Sequence, residues 1–447
     1  MKKNFKLLGL ILFVVVLYLG VANYPKLDII SGFSAKSLAS GHFIDNRPLE
    51  MIEKEDNDIK LIHLAKNRID EKGKFATASV YGLKKRKAIY REGLGALLIN
   101  GNFDATKPYL IPKRTKLDND LPFPYGDEEP KDTFFENIDY ARLNSAVANA
   151  FDTKGEFKKR TRAVLVIYKD KIVAEKYTSG FEKNSKIMGW SMTKSITATL
   201  FGILQKQGKF NIYKPAPVLE WANDERRNIT TNDLLHMNSG LEWEEDYTKI
   251  SDVTKMLFLA EDMSRVQLEK PAVFKPNTHW NYSSGTTSLL SGLLRNQFKT
   301  QQEYLNFWYS ALIDKIGMNS MLIETDMAGN YVSSSYGWAT TRDWSKLGLL
   351  YLHKGNWNGE QILTESWVNY VVTPTNTSNG RYGAHFWLNA GGKYKDAPRD
   401  LFYCSGYQGQ KIFIIPSLDM VIVRMGLTDD HEFDFNEFLK GFVESLK

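Results

Sequence analysis

Two strand hairpins stand at opposite ends of a long stretch whose signals are mostly helical, and this spacing limits the fold more than composition does. The first hairpin runs Ala163-Val164-Leu165-Val166-Ile167-Tyr168, turns at a Lys-Asp-Lys, and returns as Ile172 to Tyr177. The second runs Lys411 to Ile415, turns at Pro416-Ser417-Leu418-Asp419, and returns as Met420 to Arg424. Short β-branched runs bounded by turn residues read as strands. After the second hairpin, Phe435, Phe438, Leu439, Phe442 and Val443 recur at spacings of three and four, which predicts a terminal helix. The expectation is an α+β fold, with one antiparallel sheet assembled from both ends of a domain and flanked by helices. The stretch 211–352 would form a helical subdomain set against the sheet, with the active site at the junction.

Between the hairpins lies Gly189-Trp190-Ser191-Met192-Thr193-Lys194-Ser195, followed by Ile196, Leu200, Ile203 and Leu204 at helical spacing and a stop at Gly208. Ser191 and Lys194 fall one turn apart on one helix face, with the serine near the positive end of the dipole. A serine hydroxyl needs a base to become a nucleophile, and a lysine can serve when its surroundings favour the neutral amine. Such a Ser-x-x-Lys pair arises by chance about once in a chain of this length, so its weight depends on partners elsewhere.

Composition excludes several classes. With 447 residues, 43 % hydrophobic and 25 % charged, the chain has the make-up of a globular protein with a large core. A net charge of +6 is small and spread out, and the run Lys84-Lys85-Arg86-Lys87 sits in no nucleic-acid module, so no nucleic-acid partner is expected. The single cysteine, Cys404, cannot form a disulfide within the chain. The seven histidines are scattered without zinc-ligand spacing, and neither a metal nor a cofactor is expected. Lys2, Lys3 and Lys6 precede the uncharged run Leu7 to Ala22. That order reads as a signal peptide or N-terminal membrane anchor over 1–24, with the body outside the cytoplasm in the cell envelope or periplasm. Residues 25–136, with irregular signals and ordered structure near Ala88 to Asn100, read as an extension packing on the main body, 137–447.

Two later stretches supply partners for Ser191. Tyr282, in Trp280-Asn281-Tyr282-Ser283-Ser284-Gly285 ahead of a helical run, can present a phenol beside the lysine and pass a proton. Cys404-Ser405-Gly406-Tyr407-Gln408-Gly409-Gln410 leads into a strand whose backbone N–H, with that of Ser191, would form an oxyanion hole. Taken in order, Ser-x-x-Lys, Tyr-Ser-Ser and Ser-Gly-x-x-Gly-Gln resemble the serine β-lactamase and D,D-peptidase superfamily. The likeness is closest to class C β-lactamase-related esterases and amidases, including hydrolases of 6-aminohexanoate oligomers. Ile229 to Leu241, Trp338 to Trp344 and Tyr382 to Trp387 are similar to the same family, and the resemblance runs from about Asn137 to the C-terminus.

The resemblance implies an acyl-enzyme: Ser191 attacks a carbonyl, Lys194 acts as base and Tyr282 relays the proton. The N–H groups of Ser191 and Tyr407 would hold the oxyanion, and Tyr247, Ser284, Ser405 and Gly406 would contact a small-molecule or peptide-like amide or ester. Penicillin-binding members typically carry Lys-Thr-Gly on the late strand, where this chain has Cys404-Ser405-Gly406, and their tyrosine motif usually ends in Asn where Ser284 stands here. Loss of that carboxylate clamp points away from β-lactam antibiotics. Two alternatives stay open: a cell-wall D,D-peptidase or penicillin-binding protein, and a non-catalytic peptide- or glycan-binding protein that keeps the fold.

Overall fold

The computed structural model describes residues 2–117, 120–126, 128–130, 133–153, 155, 158–428 and 432–447. The chain divides into two compact units. The first comprises 1–91, 96–105 and 244–261, and the second comprises 92–95, 106–243 and 262–447.

The first unit is built on one long helix, α1 (Lys2–Asp45), which runs through Pro25 and so crosses the expected 24/25 boundary without a break. Strands β1 (Ala65–Asp70), β2 (Phe75–Val80), β3 (Leu83–Arg91) and β4 (Gly95–Leu98) form an antiparallel sheet in sequence order. The sheet packs on the C-terminal half of α1, where Ala35, Leu38 and Ala39 are fully buried. Strands β1 and β3 carry Lys, Arg and Asn and alternate between covered and exposed positions, whereas β2 and β4 are mostly covered. One face meets the helix and the other meets water, so these strands lack the continuous apolar runs that betray the main sheet. Among the described residues no helix is long and apolar enough to cross a membrane.

In the second unit, α2 (Tyr140–Asn149) precedes β5 (Thr161–Tyr168), β6 (Lys171–Tyr177) and β7 (Lys186–Met188), and α3 (Thr193–Lys206) follows a 3-10 turn at Trp190–Met192. Next come α4 (Ser284–Arg295), β8 (Leu322–Ile323), β9 (Gly337–Thr340), α5 (Thr341–Leu352) and β10 (Trp387–Leu388). The chain ends with β11 (Phe402–Gly406), β12 (Gln410–Ile415), β13 (Met420–Gly426) and α6 (Phe435–Val443). The main sheet has the order β10-β11-β12-β13-β5-β6, so the two hairpins join where β13 lies antiparallel to β5, with Val423 opposite Leu165 and Val421 opposite Ile167.

Every residue of β5, β12 and β13 is buried, because both faces of the sheet are covered. On one side α2 and α6 bring Leu143, Val147, Phe438 and Phe442 against Val164, Phe413 and Ile422. On the other, α5 comes so close that a Cβ on Gly348 would lie 2.8 Å from Ile412 Cγ2 and 2.9 Å from Val421 Cγ1. Each large apolar side chain buried in this way stabilises the fold by about 1.5–3 kcal/mol. The expected helices of the middle stretch are present, including α4 and α5. A small sheet of order β7-β9-β8 lies beside them, which the sequence pattern did not announce. The segment Glu244–Glu261 belongs instead to the first unit.

Candidate active site

Ser191 stands on a tight turn held from three sides. Gly189 N–H donates to the Gly337 carbonyl at 2.9 Å, and the Gly337 N–H donates to Thr193 Oγ1 at 3.1 Å, so β9 fixes the turn at both ends. The Thr193 hydroxyl in turn donates to the Trp190 carbonyl at 2.7 Å. No side chain fits at 189, since a Cβ there would lie 2.3 Å from the Trp344 ring. Trp190 itself has φ +48°, a left-handed conformation costly for a bulky residue. Its ring packs edge-on against Tyr407, with centroids 5.3 Å apart, and against Tyr336 at 6.3 Å, which holds the strained backbone in place.

One turn after Ser191, as the second residue of α3, Lys194 is 1 % exposed, and its Nζ donates to three oxygens. These are Ser191 Oγ at 2.9 Å, Ser284 Oγ at 2.9 Å and the Ser334 carbonyl at 2.8 Å. None of the three is a carboxylate. Ser284 arrives from the first turn of α4, whose N-cap Ser283 accepts the Thr286 N–H at 2.9 Å and donates to Gln267 Oε1 at 3.0 Å. Ser284 is therefore a fully buried partner of the lysine. The ring of Tyr282 covers the same ammonium, with its centroid 5.1 Å from Lys194 Nζ. That ring is half-buried in an aromatic wall, 5.3 Å from Trp387 and 5.8 Å from Tyr382, while Trp280 packs on both.

The end of β11 abuts the nucleophile turn. A Cβ on Gly406 would lie 2.1 Å from the Gly189 carbonyl oxygen, so only glycine permits this approach. Residue 407 then starts a 3-10 turn with its ring against Trp190. Cys404 is buried, and burial pushes its thiol up to about 12, which keeps the group neutral. A cation is nevertheless close by: across the β11–β12 pair, Lys411 lies opposite Ser405, and its Nζ donates to Ser405 Oγ at 2.8 Å. Spacing within one strand could not reveal Lys411, because the contact is made between strands. Tyr247 lies in the segment Glu244–Glu261 of the first unit, where it is half-buried.

His385 braces the pocket from behind. Its Nδ1–H donates to the Leu235 carbonyl at 2.8 Å and its Nε2 meets Thr287 Oγ1 at 2.9 Å, while its own carbonyl accepts from Ser195 Oγ at 2.7 Å. Burial lowers its pKa to about 3, so the ring is neutral. His236, bonded to Thr375 Oγ1 at 2.7 Å, is lowered to about 4 by the same cause. Among the described residues no group of three His, Cys, Asp or Glu could hold a metal ion.

The family described as Beta-lactamase matches residues 149–436, well over half of the chain. The chain belongs to the β-lactamase family. As a member it is a serine hydrolase of the β-lactamase fold. It is 22 % identical over 295 residues to the 6-aminohexanoate-dimer hydrolase of Paenarthrobacter ureafaciens, covering 60 % of this chain and 73 % of that protein. A solved family VIII carboxylesterase matches with TM-score 0.53 and 14 % identity, over 71 % of this chain and 100 % of the other. A penicillin-binding protein from Bacillus halodurans matches with TM-score 0.51 and 17 % identity, over 68 % and 99 %. Outside the residues expected from sequence, the site contains Ser334, Trp387 and Lys411, of which only Trp387 lay in a stretch already marked as family-like.

Proposed function

We propose that the second unit hydrolyses an amide or ester bond through an acyl-enzyme on Ser191. The observation that carries this reading is Lys194 Nζ, 1 % exposed and 2.9 Å from both Ser191 Oγ and Ser284 Oγ. Burial of an amine disfavours its charged form; as the neutral amine, Lys194 keeps its two N–H groups for Ser284 Oγ and the Ser334 carbonyl and turns its lone pair to Ser191 Oγ, in line for the serine proton. Ser191 attacks the carbonyl carbon while its proton passes to Lys194. The tetrahedral oxyanion sits between the N–H groups of Ser191 and Tyr407, donors fixed before reaction begins. Tyr282 delivers the proton to the leaving amine or alcohol, and water then attacks the acyl carbon and frees the serine. Ser284 positions the lysine, while Ser405 and Gly406 border the substrate on the strand side.

Substrate class follows from the same strand. The neutral Cys404 offers no charge to a lactam carboxylate, whereas the relative from Paenarthrobacter is named for a linear amide. A linear aminohexanoate amide or a p-nitrophenyl ester is therefore expected to turn over faster than a penicillin. The reverse order would favour a penicillin-binding role. Binding of the same compounds without turnover would favour the non-catalytic alternative.

The N-terminal segment completes the reading. The uncharged run Leu7 to Ala22 lies within α1, and we infer that this half of the helix holds the chain to a membrane with the hydrolase outside the cytoplasm.

A further inference from the structure

Among the described residues, the large apolar side chains that the first unit leaves exposed gather, Leu259 apart, at one end of it. On α1 the consecutive residues Leu10, Ile11, Leu12, Phe13 and Val14 are each more than half exposed, as are Tyr18 and Val21. Five consecutive positions cover all sides of a helix, so a single protein surface would not cover them, whereas an apolar medium would. From Ile30 the same helix is largely covered by its own unit.

Strand register carries four more exposed apolar residues to the point where the helix leaves. Ala65 lies opposite Val80, and Val80 opposite Leu83, so Leu64 sits beside the β2–β3 turn. Leu61, Leu64, Tyr81 and Leu83 are all exposed. Lys84 ties this corner to α1: its Nζ lies 4.7 Å from the Tyr24 ring centroid and 2.6 Å from Asp28 Oδ2.

The turn itself is strained for the sake of exposure. Tyr81 and Gly82 have φ of +52° and +75°, a two-residue hairpin turn whose first position ordinarily takes Asn, Asp or Gly. A tyrosine there bears the left-handed penalty while being 77 % exposed, so packing within the protein does not offset it. Around the tip, Lys60, Lys66 and Lys85 are exposed, beside the exposed acid Asp58 and the Asp28 that pairs with Lys84. Apolar and aromatic tips ringed by lysines match the chemistry of an anionic bilayer surface.

We propose that Leu61, Leu64, Tyr81 and Leu83 form a second membrane contact, seating the first unit on an anionic bilayer that already holds the first half of α1. The proposal rests on the anchoring reading above. One weak insertion gives reversible attachment, and a second contact with basic residues makes it stable and oriented.

The test uses the full chain reconstituted with phosphatidylglycerol-containing vesicles. Cys404 is the only cysteine and is buried, so a polarity-sensitive fluorophore can be placed through Leu83→Cys, Phe13→Cys or Leu219→Cys, one at a time. Unchanged ester turnover confirms that each labelled chain folds. The expected result is a blue shift and several-fold quenching by spin-labelled lipid at 83 and 13, none at 219, and loss of the response at 83 on pure phosphatidylcholine. Quenching at 13 with the label at 83 remaining in water would overturn the second contact and leave the anchor standing. No quenching at either position would remove both. Equal responses at all three positions, or equal responses at 83 on neutral lipid, would reduce the contact to unspecific adsorption and overturn the proposal.

Discussion

Trp190 and Tyr81 are both bulky aromatics held at positive φ, +48° and +52°, yet they occupy opposite surroundings. Trp190 is 6 % exposed and wedged between Tyr407 and Tyr336, whereas Tyr81 is 77 % exposed. The same backbone strain therefore has two meanings. At 190 the packing of the second unit over-determines the turn and so fixes the serine that follows. At 81 the fold supplies no such support, and the strain marks a side chain kept out for something beyond the protein.

The contrast can be broken first by stability. Trp190→Ala removes a buried aromatic and is expected to lower stability by about 3–5 kcal/mol. Tyr81→Asn, which suits the turn, is expected to raise it by up to ~1 kcal/mol. Urea unfolding of both variants checks this, and similar losses at the two sites would erase the distinction.

A smaller effect, sensed through pH, tests the brace behind the pocket. His385 has its folded pKa lowered from 6.5 to about 3, so the unfolded chain binds the extra proton between those values. Its contribution is complete above about pH 6.5 and is lost as pH falls toward about 3, at about 1.4 kcal/mol per pH unit. Urea midpoints measured from pH 7 to 4 should fall more steeply for the natural chain than for His385→Gln. Equal slopes would mean that the histidine is not held neutral.

Smaller again is the effect at the strand edge. Lys411→Met removes the ammonium that donates to Ser405 Oγ. The ammonium is buried over the Tyr403 and Phe435 rings, so it acts by positioning Ser405, and the expected outcome is a rise in KM of about tenfold, or ~1.4 kcal/mol, for a neutral ester and a carboxylate-bearing ester alike, with kcat little changed. A loss confined to the carboxylate-bearing ester would contradict this and reopen the case for penicillins.

How much of this was legible beforehand depends on where the information lay. The main sheet could be read because β5, β12 and β13 are buried on both faces, so that Ala163 to Tyr168, Ile412 to Ile415 and Met420 to Val423 are apolar without a break. The Ser191–Lys194 pair could be read because one helical turn guarantees proximity. Strands β1 to β3 could not be read as a sheet, since β1 and β3 carry Lys and Arg on a solvated face and β2, Phe75-Ala76-Thr77-Ala78-Ser79-Val80, has small residues in place of an apolar run. Ser334 and Lys411 escaped for a different reason. One offers only its backbone carbonyl, and the other acts across a strand pair, so side-chain identity and local spacing carry no trace of either.

The central claim is that Ser191, made reactive by a buried amine, is the group that attacks the substrate. Mass spectrometry of the chain after exposure to a fluorophosphonate tests it directly. One adduct on Ser191 is expected, absent from Ser191→Ala and formed at least about a hundredfold more slowly in Lys194→Met. An adduct on another residue, or labelling of Ser191 at an unchanged rate without the lysine, would contradict the account.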